Sequence, residues 1–599
     1  MQQRLIAEAS PQAITQDPDP VRLRFRYPVR GPAGECDNFF VGVWHPTRSV
    51  VVDWQGHGAV MPAVVNGRNW ALASTVSPLH ATGGGLIHAT QDRTSAVAFR
   101  GYVCEPALHS YSPGNALLRH WTANFRGEHN GVFSTALITA QGSTLTLVTD
   151  VLGFAPLYYR RLQGAVAFST NPRLLATAGD TPDLLAWRCL LESGFIGSDR
   201  ALSREIRRLP AGKSLQACGE SLELMSWFDL EQLPRGDRPL DQQGIAEVER
   251  VFQEAMDRRL ALADLQVLLP LSSGHDSRRM LASLVHRKSD FHSLTSRVFH
   301  KGRDLDARYA AEMASDFGLS HTIIEPPSAQ QFGQQDWTRR LLTDAESGMH
   351  SWVPGLMRAL PQRAGMVFDG IAGDILGNPG FRIPGLYKSP QQDTDIVLGA
   401  SLPNAFGRLL RAGVWPTAAQ VKEDLRAYLQ TLPQRINLAE FAFILLRQRR
   451  ATAAWSQQLL PAGYVPVCPF LDLHYVRLLL SFVPQDKHAT VLQRRCLADF
   501  WPQFSRYPGT RDIPLGTAQR SKSFDEDESI ACLREMTAQI ERGGWQDGLN
   551  SLLTGYGRLV LVGTRLSRQF TLRTQWQLQT LMELAARQAT TTHCWSTDL

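Results

Sequence analysis

The segment Leu271-Ser272-Ser273-Gly274-His275-Asp276-Ser277 gathers small and hydroxyl-bearing residues around one acid. An apolar run precedes it, LQVLLPL from Leu265 to Leu271, suited to a buried parallel strand. It is followed by SRRMLASLVHR, in which Met280, Leu281, Leu284 and Val285 share one helical face. A loop between strand and helix lies where an α/β sheet presents ligands at its carboxyl edge. Small residues let main-chain N–H groups approach a phosphate, and the start of the helix favours its negative charge. The hydroxyls of Ser272, Ser273 and Ser277 can donate to pyrophosphate oxygens. Asp276, an anion beside an anion site, calls for a cation between them, and Mg²⁺ held by a carboxylate plus phosphates meets that need. The competing reading is a Ser/Gly turn in which Asp276 caps the helix.

The elements that position this loop follow from the pattern around it. The chain has 599 residues, which predicts two or three domains. Its 43% hydrophobic and 20% charged residues exclude a disordered chain, a collagen-like chain and a disulfide-stapled mini-protein. A net charge of +6, with no long basic block, gives no reason to expect nucleic acid as a partner. The eight cysteines are scattered without a C-x-x-C pair, which predicts a reduced, cytoplasmic protein lacking a structural zinc site. The N-terminal residues have neither the basic start nor the apolar core of a signal peptide, and no apolar run reaches the length of a membrane span.

Residues 1–35 are Pro- and Gln-rich and are expected to form a flexible arm. Short apolar segments such as NFFVGVWH, STALITA and STLTLVTD then predict a sheet-rich domain. A polar, Pro-containing stretch within 226–244 is the best linker. Beyond it the period changes to about 3.6, and strands alternate with helices through FHSLTSRVF, DARYAAEMASDFG, HTIIE and MVFDG. This is the sign of a doubly wound parallel sheet. After about Pro390 the pattern is mostly helical.

The loop resembles the pyrophosphate loop, S-G-G-x-D-S, of the asparagine synthetase family of ATP-dependent amide ligases, with Ser273 where that family usually has Gly. Further blocks match in the family's order. The segment from His292 to His321 resembles the strand and helix after the loop, FDGIAGDILGN (Phe368 to Asn378) the second acidic loop, VCPFLD (Val467 to Asp472) the R-x-P-F-L-D block, and QRSKSF (Gln519 to Phe524) the C-terminal Lys-bearing loop. TDVLGFAPLYYRRLQGAVAFSTNPRLL and REIRRLPAGKSL resemble the family's glutamine amidotransferase half. The resemblance covers roughly residues 115 to 225 and 245 to 530. It implies a mixed α/β and α+β multidomain fold. An N-terminal Ntn-hydrolase-like sheet domain (36–225, a degenerate amidotransferase) would precede a linker (226–244). A doubly wound, adenine-nucleotide α-hydrolase-like synthetase domain with a helical C-terminal part (245–599) would follow.

Carried over residue by residue, the resemblance assigns Asp276 and Asp374 to Mg²⁺. It assigns Leu271, Ser272, Ser273, Gly274, Asp276, Ser277, Thr295, Asp369 and Gly370 to ATP and pyrophosphate, and Lys522 to the charge of the leaving group and tetrahedral intermediate. His275 falls at a variable position and is read as a bystander.

Two departures shape the expected chemistry. Glutamine-using members begin with a cysteine nucleophile, whereas this chain begins Met1-Gln2-Gln3 and its first cysteine, Cys36, precedes Asp37. The first domain is therefore expected to have kept its fold and lost glutaminase activity, serving as scaffold or docking surface. Ile371 stands where the second acidic loop carries a glutamate, which leaves Asp369 as a candidate base. Glu346 and His350 form another pair, read more simply as an i,i+4 surface pair.

The implied reaction is attack of a carboxylate on the α-phosphate of ATP, giving acyl-AMP and pyrophosphate, followed by amine displacement of AMP. An amine on the same molecule gains an effective molarity of up to about 10⁵ M or more. Intramolecular members are similar to β-lactam synthetase and the lasso-peptide macrolactam synthetases of antibiotic biosynthesis, which join a peptide's N-terminal amine to an Asp or Glu side chain. The expected partner is a precursor peptide or other carboxylate/amine substrate, with a leader peptidase and leader-binding protein implied by the lasso reading. The helical region, with a basic face of Arg447, Arg449 and Arg450, is read as leaving room for a peptide. The alternatives are an ammonia-dependent asparagine synthetase, another small-molecule amide ligase or cyclase, and a catalytically dead scaffold.

Overall fold

The computed structural model describes residues 20–26, 38–55, 63–75, 86–105, 129–262, 265–297, 304–325, 328, 331, 334, 353–360, 364–378, 389–401, 407–435, 437–509, 524–566, 572–589 and 595–596. The first half is a sandwich of two six-stranded antiparallel sheets, the sheet-rich architecture expected of it. One sheet runs in the order Arg207–Arg208, Tyr158–Leu162, Ala165–Ser169, Phe40–Trp44, Trp70–Ser74, Ala63–Asn66. The other runs Ser221–Ser226, Lys213–Cys218, Thr144–Thr149, Gly131–Thr139, Ala96–Val103, Ile87–Ala89. Strand alternation aims Phe40, Trp44, Trp70 and Phe168 of one sheet at Ala96, Ala98, Ala136 and Ala217 of the other. Large side chains on one face meet small ones opposite, so the two layers interdigitate into a single core.

The expected flexible arm is not wholly an arm. Val21–Arg26 form a strand, parallel to Val50–Gln55 and antiparallel to Trp595–Ser596. Its period-two pattern buries Val21, Leu23 and Phe25 over the outer face of the sandwich, where apolar burial outweighs the entropy of ordering the segment. Nor is 226–244 a loose connection. It begins at the end of the strand Ser221–Ser226 and ends inside the helix Gln242–Leu260, capped by Asp241. Between them the Arg435 guanidinium donates to the carbonyls of Leu230, Leu233 and Pro234.

The second half is built on a five-stranded parallel sheet in the order His321–Ile324, Phe291–Ser296, Gln266–Pro270, Gly365–Phe368, Tyr464–Val467. The earliest strand, Gln266–Pro270, is central, and the chain winds outward from it first one way and then the other. Its buried Val267, Leu268 and Leu269 are what a strand covered on both faces requires. The C-terminal helices Phe524–Arg542, Gln546–Leu552, Gly555–Leu566 and Leu572–Ala589 belong to another core, shared with Trp187, Leu190 and Leu191 of the first domain's helix Leu184–Ser193. Arg449 and Arg450, expected on an open basic face, are instead buried, because their guanidinium N–H groups donate to carbonyls of the first domain. Among the described residues Cys104, Cys189, Cys218, Cys468 and Cys496 are free thiols, and no helix is long and apolar enough to cross a membrane.

Candidate active site

Strand order reverses between Gln266–Pro270 and Gly365–Phe368, which opens a crevice at their carboxyl ends. Two loops leave the sheet there. The first, after Pro270, is tied to the neighbouring strand. Leu271 N–H donates to Leu294 O at 2.8 Å, and Thr295 Oγ1 donates to Leu271 O at 2.6 Å. Within the loop the hydroxyls of Ser272 and Ser277 close the turn on itself. Ser272 N–H donates to Ser277 Oγ (3.2 Å), Gly274 N–H donates to Ser272 Oγ (3.1 Å), and Ser277 Oγ donates to Ser272 O (2.9 Å). Gly274 then begins the helix His275–His286 without any side-chain cap, so Asp276 is not the capping residue that the simpler turn reading supposed. Its carboxylate lies in the first turn, where the helix dipole favours an anion.

Ser273 departs from expectation. It is fully buried, and both its N–H and its hydroxyl donate to Asp306 Oδ1, at 2.8 and 2.7 Å. Its hydroxyl is engaged inside the protein and is not offered to a pyrophosphate. The extra oxygen that Ser brings at the usual Gly position found a partner 33 residues downstream, in the first turn of the helix Leu305–Asp316.

The second loop follows Phe368 and turns through Ala372, at a φ of 69°, into the short helix Gly373–Gly377. It folds directly over Asp276. A Cβ on Gly373 would fall 2.6 Å from Asp276 Cγ, and one on Gly370 would fall 3.3 Å from Asp276 Cβ. Glycine at 373 therefore makes the close approach of the two acidic loops feasible. Asp374, the next residue, is half-buried, and its Oδ1 accepts Ile375 N–H and Gln448 Nε2, each at 2.9 Å. Among the described residues no group of three or more His, Cys, Asp or Glu converges on one point. A divalent ion between Asp276 and Asp374 would thus complete its shell with phosphate oxygens and water, the habit of Mg²⁺. The carboxylate set and the glycine cradle fit such an ion.

A cavity of about 470 Å³ lies between the loops. It is lined by Leu271, Ser272, Gly274, Asp276, Ser277, Thr295, Asp369 and Gly370 among the residues expected there. Asp306, Met280, Leu356 and Trp455 also line it; Asp306 falls within the His292–His321 block, and no motif assigned the other three to the site. Ser273 and Asp374 are not among the residues that line it, and Lys522, with Glu346 and His350, lies outside the described residues. Ile371 is buried in the core and brings no polar atom to the cavity from its side chain. Asp369 is buried at the cavity wall. Its Oδ2 accepts Ser456 Oγ at 2.6 Å and its Oδ1 accepts Ile371 N–H at 3.1 Å. Burial pushes its carboxyl up to about 7, against the opposing pull of those two hydrogen bonds.

With this geometry in view, likeness to known proteins becomes informative. Residues 115–228 match a family model described as glutamine amidotransferase domain, and residues 247–393 match one described as asparagine synthase. The chain is thus similar to a glutamine amidotransferase domain over part of its first half and to asparagine synthase over part of its second. Asparagine synthetase [glutamine-hydrolyzing] 2 of Bacillus subtilis (strain 168) is 24% identical over 258 residues, 41% of this chain and 34% of that protein. The match thus spans about a third of the relative's own length. Two solved structures share slighter likeness. One is a glutamine phosphoribosylpyrophosphate amidotransferase from B. subtilis complexed with ADP and GMP (11% identity, 48% of this chain and 85% of that one, TM-score 0.22). The other is described as the allosteric regulatory enzyme of purine biosynthesis (10% identity, 49% and 77%, TM-score 0.21). The asparagine synthase match contains both acidic loops of the crevice.

Proposed function

We propose that this asparagine synthetase-like chain is an ATP-dependent amide ligase that releases AMP and pyrophosphate, and that its amine and carboxylate belong to one substrate. In the finer form of this reading, it closes a macrolactam between a peptide's N-terminal amine and an Asp or Glu side chain, as in lasso-peptide biosynthesis, alongside a leader peptidase and leader-binding protein. The observation that carries the reading is the seating of Asp276 against Gly373, which brings two acidic loops together at the switch point of a parallel sheet.

In the first step a substrate carboxylate oxygen bonds to the α-phosphorus and pyrophosphate leaves. In the second the amine nitrogen bonds to the acyl carbon, AMP leaves, and the amine's proton passes to a base. Ser272, Gly274 and Ser277 hold the phosphate loop closed, and Asp306, which also lines the cavity, fixes it through Ser273. Asp276 and Asp374 would hold Mg²⁺, which when bound neutralises phosphate charge. Lys522 would serve the leaving group. Asp369 would take the proton; its position at the cavity wall and a carboxyl pushed up to about 7 by burial support that role.

Incubated with ATP, Mg²⁺ and a linear peptide carrying an internal Asp or Glu, the protein should form AMP and pyrophosphate and a product lighter by one water. ADP and phosphate in their place would refute the adenylation. Added glutamine should release no glutamate. A second reading is asparagine formation, which the relative's name couples to glutamine hydrolysis and which this chain would carry out with ammonia; the same assay with aspartate and ammonia distinguishes it. If Asp369 is the base, kcat/KM should climb with pH through about 7, because the carboxyl of the free protein is neutral below that value and ionised above it. Asp369→Asn should lower kcat about a hundredfold or more and remove that limb of the profile. An unchanged pH profile in the variant would exclude Asp369.

A further inference from the structure

Asp374 does not stand in the crevice unsupported. Its Oδ1 is held by Gln448 Nε2 at 2.9 Å, and Gln448 is fully buried. The other end of that amide, Oε1, is buried and has no hydrogen-bond partner. Leaving that oxygen unpaired costs stability, which the hydrogen bond to Asp374 offsets.

Gln448 sits in a π-helical stretch, Ile444–Thr452, the wide-turn helix that recurs at functional sites. The next two residues anchor that stretch to the amidotransferase-like domain. Arg449 donates from Nε to Gly153 O (3.1 Å) and from Nη2 to Leu209 O (2.9 Å) and Asp199 Oδ1 (2.8 Å). Arg450 donates to Ser198 O (2.9 Å) and Arg200 O (2.7 Å). The segment from Gln448 to Arg450 is therefore a short, rigid path from the first domain to the second acidic loop.

We propose that Gln448 is a positioning residue for the metal-binding carboxylate of Asp374, and that the amidotransferase-like domain sets its position through Arg449 and Arg450. This rests on the ATP-dependent reading above. It gives the first domain a task that needs no glutaminase: its loops around Gly153, Asp199 and Leu209 fix the register of the π-helical stretch, and that register fixes one ligand of the ion. Partners of a ligating carboxylate orient it and tune its affinity, and losing one weakens metal binding about tenfold to a hundredfold.

The test uses the full-length protein with α,β-methylene-ATP and Mn²⁺ in place of Mg²⁺, bound ion being read by electron paramagnetic resonance. Gln448→Leu should weaken nucleotide-dependent Mn²⁺ binding about tenfold to a hundredfold, while nucleotide binding in EDTA stays at the wild-type value. Asp199→Asn, a change in the first domain at a part-exposed carboxylate, should weaken Mn²⁺ binding about twofold to thirtyfold with its thermal midpoint little moved. Asp199→Glu should recover most of that loss. Wild-type Mn²⁺ affinity in Asp199→Asn, or in a folded Gln448→Leu, would overturn the inference and leave the ATP-dependent reading intact. Wild-type protein that binds no Mn²⁺ with the nucleotide would overturn both.

Discussion

Asp276→Ala should reduce AMP formation at least about a thousandfold, equivalent to roughly 4 kcal/mol of transition-state stabilisation. Three features concentrate that effect on one side chain. The carboxylate lies at the start of a 12-residue helix, it lines the cavity, and the second acidic loop is folded onto it through Gly373. Under the proposed function, removing it takes away a ligand for the ion, and it leaves a gap against Gly373, which has no side chain with which to fill it. Asp276→Asn keeps the shape and loses the charge, so it separates the two contributions. It should remain as folded as wild type while its pyrophosphate exchange falls nearly as far. Turnover within tenfold of wild type in the alanine variant would remove Asp276 from the metal site.

Asp472→Ala should destabilise the protein by about 3–5 kcal/mol, the cost of stranding a buried charge. Asp472 is fully buried, as is its partner Arg259, and their closest atoms are 2.6 Å apart. The same carboxylate accepts Arg258 Nε (2.9 Å) and Asn130 Nδ2 (2.9 Å), and caps the helix Leu473–Ser481 through His474 N–H (3.0 Å). One side chain thus joins the first domain, the helix Gln242–Leu260 and the helix after the parallel sheet. Exposed pairs are worth far less: replacing Glu254 opposite Arg250 should change stability by about 0.5 kcal/mol or less. Burial by itself would raise the Asp472 carboxyl, but Arg259 and Arg258 outweigh it and hold it well below the usual carboxylate range. Its contribution is accordingly present above the unfolded-state value near 4 and is lost as pH falls below it. Urea unfolding at pH 7 of wild type and Asp472→Ala measures the difference, and a loss under 1 kcal/mol would show that Arg259 finds compensation elsewhere.

The phosphate loop was legible because its signal is local: small residues between an apolar run and a helical face. The strand–helix alternation was legible for the same reason. Asp306, Gln448 and Ser456 were not, since each acts through a partner distant in the chain, at separations of 33, 74 and 87 residues. Arg449 and Arg450 were misread because pattern alone cannot tell a solvated arginine from one whose protons are met by carbonyls of another domain. Val21–Arg26 was missed although its alternation, VRLRFR, is a strand signal hidden beside a Pro-rich stretch. Asp472 belonged to a recognisable block, and its geometry gives it a structural task at the domain interface.

The strand Trp595–Ser596 has a consequence for how the protein is made. Trp595 is fully buried among Phe25 and Trp54, with its indole N–H on Leu174 O at 2.8 Å and its own N–H on Ala176 O at 3.1 Å. Arg24 pairs with Ser596, so the outer sheet of the first domain is completed by residues that follow the whole parallel-sheet half in the chain. Domains ordinarily fold in order of synthesis, but this sheet keeps an open edge until the second half has also been made. A chain that stops within the second half would carry an unfinished first domain.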